Sequence, residues 1–451
     1  MSPSAAERAD AAAPARTGAA AQERADVVVV GAGPGGSATA AYLAQHGLDV
    51  LLLEKAAFPR DKICGDGLTP RAVKELTHLG VDTTGWRRSK GLRIVGGGQH
   101  FTLDWPESAS FPGYGLVRTR RQLDETLARH AQARGARLLE RTSVTAPLTD
   151  GTGRVVGVQA RVRDASGRAT GQTLTVHAPV VVAADGVSSR LATSVGRERR
   201  QDRVMGVAVR AYYSSPALAA EDYLVSHLEL WSRDDAGNRI LMPGYGWIFP
   251  LEDGRANVGL GILDTSSAFG NTDYDDVLRR WVADLDPTWH FEHDAAAGPI
   301  RGAALPMGFN RSPLYADGLL LVGDAGGMVN PFNGEGIDYA LEAARISAEV
   351  IAQSFARARH ADGDGDAARE RALAAYPRIM KDELGGYFTL GRWFAHAIGH
   401  PEVMRLATKY GLPRRRLMRL LLKIMANLPE TPGRHLDDRI VHTMSRLAPD
   451  A

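Results

Sequence analysis

Asp26-Val27-Val28-Val29-Val30-Gly31-Ala32-Gly33-Pro34-Gly35-Gly36 is the stretch on which the fold turns. Its valines form a β-branched run of the kind that makes a buried parallel strand. A helix-like stretch follows, from Ser37 to Gln45, and stops at Gly47. Then comes a second apolar strand, Val50-Leu51-Leu52-Leu53, ending in Glu54-Lys55. Gly31, Gly33 and Gly36 satisfy G-x-G-x-x-G in a strand–turn–helix–strand setting. The first glycine permits the tight turn. The second lets backbone approach a pyrophosphate, and the third lets helix pack on strand. The helix N-terminus around Pro34 and Gly35 favours phosphate charge. Glu54 is spaced to accept hydrogen bonds from a ribose. Because the motif occurs once, a separate nicotinamide domain is not expected, and a tightly held FAD is.

Two further segments extend this reading. Val180 to Ala184 is an apolar strand that ends in Asp185-Gly186. Gly318 to Val322 is another, ending in Gly323-Asp324-Ala325, followed by a glycine-rich turn through Gly334-Glu335-Gly336. A long helix should then start at Ile337 and run to about Arg357. A carboxylate at a strand end can bind the flavin's polyol chain. A glycine-rich turn before a helix can present N–H groups to the pyrophosphate or a flavin oxygen.

Composition sets outer limits. At ~150 residues per domain, a chain of 451 residues is two or three domains or one large fold with insertions. Lys+Arg number 54 and Asp+Glu 52, a net charge of +2. That balance argues against a nucleic-acid binder. Cys64 is the one cysteine, so an intramolecular disulfide is excluded and a reducing cytoplasm is expected. No apolar run is long enough to span a bilayer. Residues 1–24, rich in Ala, Arg and Glu, read as a disordered leader.

Three motifs carry a family resemblance. Lys62-Ile63-Cys64-Gly65-Asp66-Gly67-Leu68 resembles the K-x-C-G signature of the geranylgeranyl reductase family. Pro243-Gly244-Tyr245-Gly246-Trp247-Ile248-Phe249-Pro250 resembles its Y-x-W-x-F-P motif. Leu321 to Gly336 fits its flavin-proximal segment. The resemblance spans about residues 26–430. It implies an α/β fold: a Rossmann-like FAD-binding domain of the p-hydroxybenzoate hydroxylase type, an inserted β-sheet substrate domain and a C-terminal helical region. Residues 25–90, 115–203 and 305–380 are assigned to the first, 91–114 and 204–304 to the second, and 384–451 to the third.

The resemblance also implies a chemistry, FAD-dependent saturation of isoprenoid double bonds. The substrate expected is the prenyl side chain of menaquinone, or else a geranylgeranyl lipid or diphosphate. The Ala-, Arg- and Gly-rich composition of a GC-rich bacterial chain favours the quinone. The electron donor is external, NAD(P)H or a redox protein. Arg120 matches the family's R-x-x-L position that approaches the FAD phosphates, with Arg121 the adjacent alternative. Cys64 falls beside the flavin, where it either donates the proton that accompanies hydride or shapes the site. Tyr245 either donates a proton or lines the substrate tunnel. Trp247 and Phe249 offer apolar faces to an isoprenoid. One departure is that Asp185-Gly186-Val187-Ser188-Ser189-Arg190 has its arginine directly after the serine, so Arg190 carries no assigned contact.

Rival readings remain. Trp247-Ile248-Phe249-Pro250 is faintly similar to the W-x-W-x-I-P of flavin halogenases, with Tyr245 at the first tryptophan position. That makes an FAD-dependent aromatic monooxygenase or halogenase the first alternative. A non-catalytic prenyl-binding protein is the second. Leu417, Leu420, Leu421, Ile424 and Leu428 form a helical stripe beside Arg414, Arg415, Arg416, Arg419 and Lys423. Such a helix either packs its stripe on the core or lies on the inner, anionic face of a membrane. No metal site is expected. The Asp362–Asp366 run has Leu373 where a calcium loop needs Glu, and His396 and His400 lack a third ligand.

Overall fold

The computed structural model describes residues 21–448 apart from 234–235, 243, 267–268, 294–297, 401–402, 404–405, 431–437, 440–442 and 446–447. The expected leader lies outside the described residues as far as residue 20. Its last four residues do not fit that expectation: Ala21–Arg24 is a strand, paired in parallel with Ala169–His177. Pro243 of the aromatic motif also lies outside the described residues.

The valine run forms the centre of a six-stranded sheet. Val27–Val30 lies between Val180–Ala183 and Val50–Leu53, all parallel. Leu319–Leu321 adds beyond Val180–Ala183, and Arg137–Leu139 beyond Val50–Leu53. All four valines are buried, as a strand covered on both faces requires. Helix α1 (Pro34–Gln45), α2 (Pro70–Leu79), α3 (Arg120–Ala133) and α4 (Ile337–Arg359) accompany this sheet. Helix α1 packs against α3 and α4. It starts at Pro34, three residues earlier than the sequence pattern suggests, because proline suits a first helical turn.

A second, eight-stranded sheet is built from the two segments expected to carry substrate. Its central run is Gly91–Gly96, Tyr223–His227, Tyr245–Pro250, Arg255–Leu263 and Met205–Ser214. Arg301–Pro306 pairs along Met205–Arg210, so this sheet continues two residues past the boundary drawn at 304. A four-stranded sheet of Ala21–Arg24 with the meander Thr142–Thr149, Val155–Arg163 and Ala169–His177 had no counterpart in the sequence reading. Helix α5 (Tyr376–Ile398) and helix α6 (Arg415–Met425) follow toward the C-terminal end.

The glycine turn shows why side chains are absent from it. Gly31 has φ 97°, and a Cβ there would stand 2.5 Å from the Ala184 carbonyl oxygen. A Cβ on Gly36 would stand 1.8 Å from the Gly31 carbonyl oxygen. Gly36→Ala should therefore lower stability by about 1–3 kcal/mol or more through overpacking. Urea unfolding of the variant beside the wild type measures this.

Candidate functional site

One cavity of about 1260 Å3 joins the two main sheets. Gly31, Gly33, Pro34, Gly35, Glu54, Lys55, Arg120, Asp185, Gly323, Asp324, Gly334, Gly336 and Ile337 line one part of it. Cys64, Tyr245, Trp247 and Phe249 line it too. Among the singled-out residues, Gly36 alone is not on the wall; it holds the turn from behind.

The nucleotide end is built on two helix starts. Neither Gly33, before α1, nor Gly336, before α4, supplies a side-chain cap. The free N–H groups there favour an anion. A Cβ on Gly33 would meet only guanidinium nitrogens, Nη2 of Arg120 at 3.9 Å and Nη2 of Arg60 at 4.0 Å. Both arginines are held by Asp124. Arg120 donates to its two oxygens at 2.7 and 2.9 Å, and Arg60 to Oδ2 at 2.7 Å. Glu54 accepts from the Ala32 N–H at 3.0 Å, the Ala56 N–H at 3.0 Å and Arg60 at 3.2 Å. It thus braces the turn as well as facing the cavity. Asp185 keeps a buried Oδ1 without a hydrogen-bond partner, a position that suits a ligand hydroxyl. This glycine cradle, with its paired cations and orphaned acceptor, fits a dinucleotide. Arg60 escaped sequence reading because its motif role is set by folding, not spacing.

The loop carrying Cys64 is clamped by the second sheet. Asp66, wholly buried and at φ 67°, accepts from the Arg120 N–H at 2.9 Å, the Tyr212 hydroxyl at 2.7 Å and Asn257 Nδ2 at 2.7 Å. Burial raises its pKa, and the tyrosine and asparagine donors pull it back. Asn257 Nδ2 also donates to the Cys64 carbonyl at 2.8 Å, and its Oδ1 accepts from Trp247 Nε1 at 2.9 Å. Arg210 donates to Asp61 at 2.7 Å. The two family-like motifs, distant in sequence, therefore meet through one asparagine. Burial pushes the Cys64 thiol up, and Arg120 partly offsets this.

The aromatic motif lies over glycines of the neighbouring strand. Tyr245 is opposite Gly261 and Trp247 opposite Gly259. A Cβ on Gly259 would stand 2.2 Å from Trp247, and one on Gly261 would stand 2.9 Å from Tyr245. The rings can lie low on the sheet only because those side chains are missing. Phe249 reaches the other way, toward Gly65 and Gly67. The Tyr245 hydroxyl donates to the Asn333 carbonyl at 3.2 Å, and burial pushes it up to about 12.

Beyond the aromatics the cavity is apolar. Leu224, Ile94, Met418, Leu421, Leu422 and Met425 line it. The last four belong to α6. Leu420, Leu421, Ile424 and Leu428 of the expected stripe pack inward, and two further residues join them. Met418 and Leu422 are buried, whereas Leu417 is exposed. Lys423 is not a free cation, since it pairs with Asp438.

Comparison with known proteins agrees with this geometry. A family model described as an FAD binding domain matches residues 24–371. The menaquinone reductase of Mycobacterium tuberculosis (strain ATCC 25618 / H37Rv) is 38% identical over 410 residues, covering 90% of this chain and 92% of that protein. Digeranylgeranylglycerophospholipid reductase 2 of Methanopyrus kandleri is 34% identical over 335 residues, covering 73% of this chain and 77% of that one. Among solved structures, a geranylgeranyl bacteriochlorophyll reductase-like protein from Thermoplasma acidophilum shares the fold, with TM-score 0.68 and 21% identity over 89% of this chain and all of that one.

Asn257→Ala removes one of the two donors to Asp66 Oδ2, leaving it the Tyr212 hydroxyl, and takes the partner from the Trp247 indole N–H and the Cys64 carbonyl. Each buried group left without its partner costs about 1–3 kcal/mol. Denaturant unfolding followed by tryptophan fluorescence should show a loss of at least that size.

Proposed function

The chain belongs to the geranylgeranyl reductase family of FAD-dependent oxidoreductases, and from that premise we propose that it saturates double bonds in the prenyl side chain of menaquinone. The observation that carries this reading is the continuity of the cavity. The cradle of glycines and arginines opens into an apolar chamber floored by Trp247 and Phe249 and walled by Met418 and Leu422. A prenyl chain is long, flexible and uncharged, and a chamber of this lining stabilises it by burial. A geranylgeranyl lipid or diphosphate meets the same apolar requirement and is the second choice.

FAD, when bound and reduced, supplies hydride to the alkene. Gly31, Gly33, Pro34 and Gly35, with Arg60 and Arg120, would hold its diphosphate. Glu54, Lys55, Asp185, Gly323, Asp324, Gly334, Gly336 and Ile337 would complete the cradle. Cys64 and Tyr245 border the space between cradle and chamber, where an alkene must be held in near-attack geometry. With its pKa raised, the thiol is neutral and small, so it suits close approach of an apolar chain. The electron donor is external, NAD(P)H or a redox protein.

We also propose that the chain works at a membrane surface, where such a lipid resides. Trp393, Leu406, Tyr410 and Leu417 are exposed. They belong to the same segments that wall the chamber through Phe394, Ala407, Thr408, Leu412 and Met418. Arg414, Arg415, Arg416 and Arg419 stand exposed beside them, the combination that attracts an anionic bilayer. Among the described residues no helix is long and apolar enough to cross a membrane.

Purified protein should show an FAD absorption spectrum. With a chemical reductant it should add two hydrogens to menaquinone, read by mass spectrometry of the quinone. A hydroxylated or halogenated product would move the assignment to the monooxygenase or halogenase alternative. Protein that stays colourless with added FAD would leave the prenyl-binding alternative. The protein should also sediment with phosphatidylglycerol vesicles at low salt. Equal sedimentation with neutral vesicles would remove the role of the arginines.

A further inference from the structure

Glu335 and Asp338 are two carboxyl groups on the cavity wall to which no motif gives a task. Glu335 sits between Gly334 and Gly336, in the loop that separates the cofactor cradle from the aromatic floor. On one side of this loop, a Cβ on Gly336 would lie 3.4 Å from Asp324 Oδ1. On the other, a Cβ on Gly334 would lie 3.0 Å from the Tyr245 hydroxyl. The Glu335 carboxyl accepts from Asn333 Nδ2 at 2.9 Å, and the Thr69 side chain faces it too. Asp338 is buried, and neither of its oxygens has a hydrogen-bond partner.

Charge around the pair favours a retained proton. The cation that faces both carboxyls is Arg71 of α2, and it is already engaged by Glu342 at 2.6 Å and by the Asn427 carbonyl at 3.1 Å. The other titratable groups facing Glu335 are Tyr245, Tyr339 and Tyr387, none of them cationic. The N-terminus of α4 favours one carboxylate. The second then ionises against burial and a like charge, which is unfavourable. Burial accordingly raises Glu335 to about 7 and Asp338 well above its ordinary value.

Reduction of an unpolarised alkene needs hydride on one carbon and a proton on the other. The Tyr245 hydroxyl is a poor donor near neutral pH, since burial holds it at about 12. The raised thiol of Cys64 is a weaker acid than a free one. We propose that Glu335, backed by Asp338, delivers this proton from the cavity wall. This rests on the reductase reading above. The π bond breaks and two C–H bonds form. One takes the hydride that the reduced cofactor supplies. The other takes the proton from the Glu335 carboxyl, which is left as carboxylate and regains a proton from solvent.

The test uses FAD-loaded protein and two readouts. Infrared difference spectra across a titration from about pH 5 to about pH 9 should show a protonated-carboxyl band that ionises near neutrality. Labelling glutamate carboxyls with 13C should shift that band, and Glu335→Gln should abolish it. In the same variant, cofactor absorption and the rate of cofactor reduction should match wild type, while prenyl reduction falls about 100-fold or more. A 13C-glutamate spectrum with every carboxyl ionised across that range overturns the proposal, whether or not the variant folds. So does prenyl reduction by Glu335→Gln within about tenfold of wild type. If wild type reduces no prenyl chain, the reductase reading fails, and the infrared titration still decides whether Glu335 keeps its proton.

Discussion

The docking of the aromatic floor onto the Cys64 loop depends on the hydrogen bonds of Asn257. One amide side chain ties Trp247, Asp66 and the backbone of Cys64 together at 2.7–2.9 Å. Trp247 belongs to the eight-stranded sheet, and Cys64 and Asp66 belong to a loop of the nucleotide-binding half. Buried amides must satisfy both donor and acceptor, so the two halves dock in one register. Asp66 then reaches across to the Arg120 backbone, and Arg120 faces the glycine turn. The geometry of the aromatic floor and that of the phosphate cradle are thus not independent.

The cavity divides by polarity. Its cradle is made of helix starts, guanidinium groups and carboxylates that hold one another in place. Its chamber is made of leucine, methionine and aromatic side chains. A polar, multiply charged cofactor and an apolar chain can share one cavity only if each meets its own lining. The 333–336 loop and the 64–67 loop form the seam, and both are rich in glycine. Glycine there lets large neighbours, Tyr245 and Phe249, approach the backbone closely.

Much of this was legible in the chain. The valine run, the three glycines and the apolar strands before Asp185 and Asp324 are local signals, set by period and turn chemistry, and they fall where expected. The Lys62–Leu68 and Tyr245–Pro250 motifs were visible, but not their meeting, because Asn257 lies in a strand where nothing marks it out. Arg60 and Asp124 were silent for the same reason: an ion pair 64 residues apart leaves no periodic trace. The meander from Thr142 to His177 was not legible, since its strand Ala169–His177 is mostly exposed and lacks an apolar run. The stripe of the last helix falls inward at Leu420, Leu421, Ile424 and Leu428, and Leu417 is its one exposed member. Leucine at 417 looked like core, yet Met418 takes the inward place.

That last helix has a consequence for how the protein comes into being. In chain order, α6 follows the cradle and the aromatic floor, and it supplies a wall of the chamber. On a ribosome the glycine turn, both carboxylate-ending strands and the aromatic floor have all emerged before it. The cradle can therefore be complete while the chamber still gapes on one side. Cofactor loading during synthesis would precede enclosure, and the nascent apolar floor would stay uncovered until the terminal helix arrives.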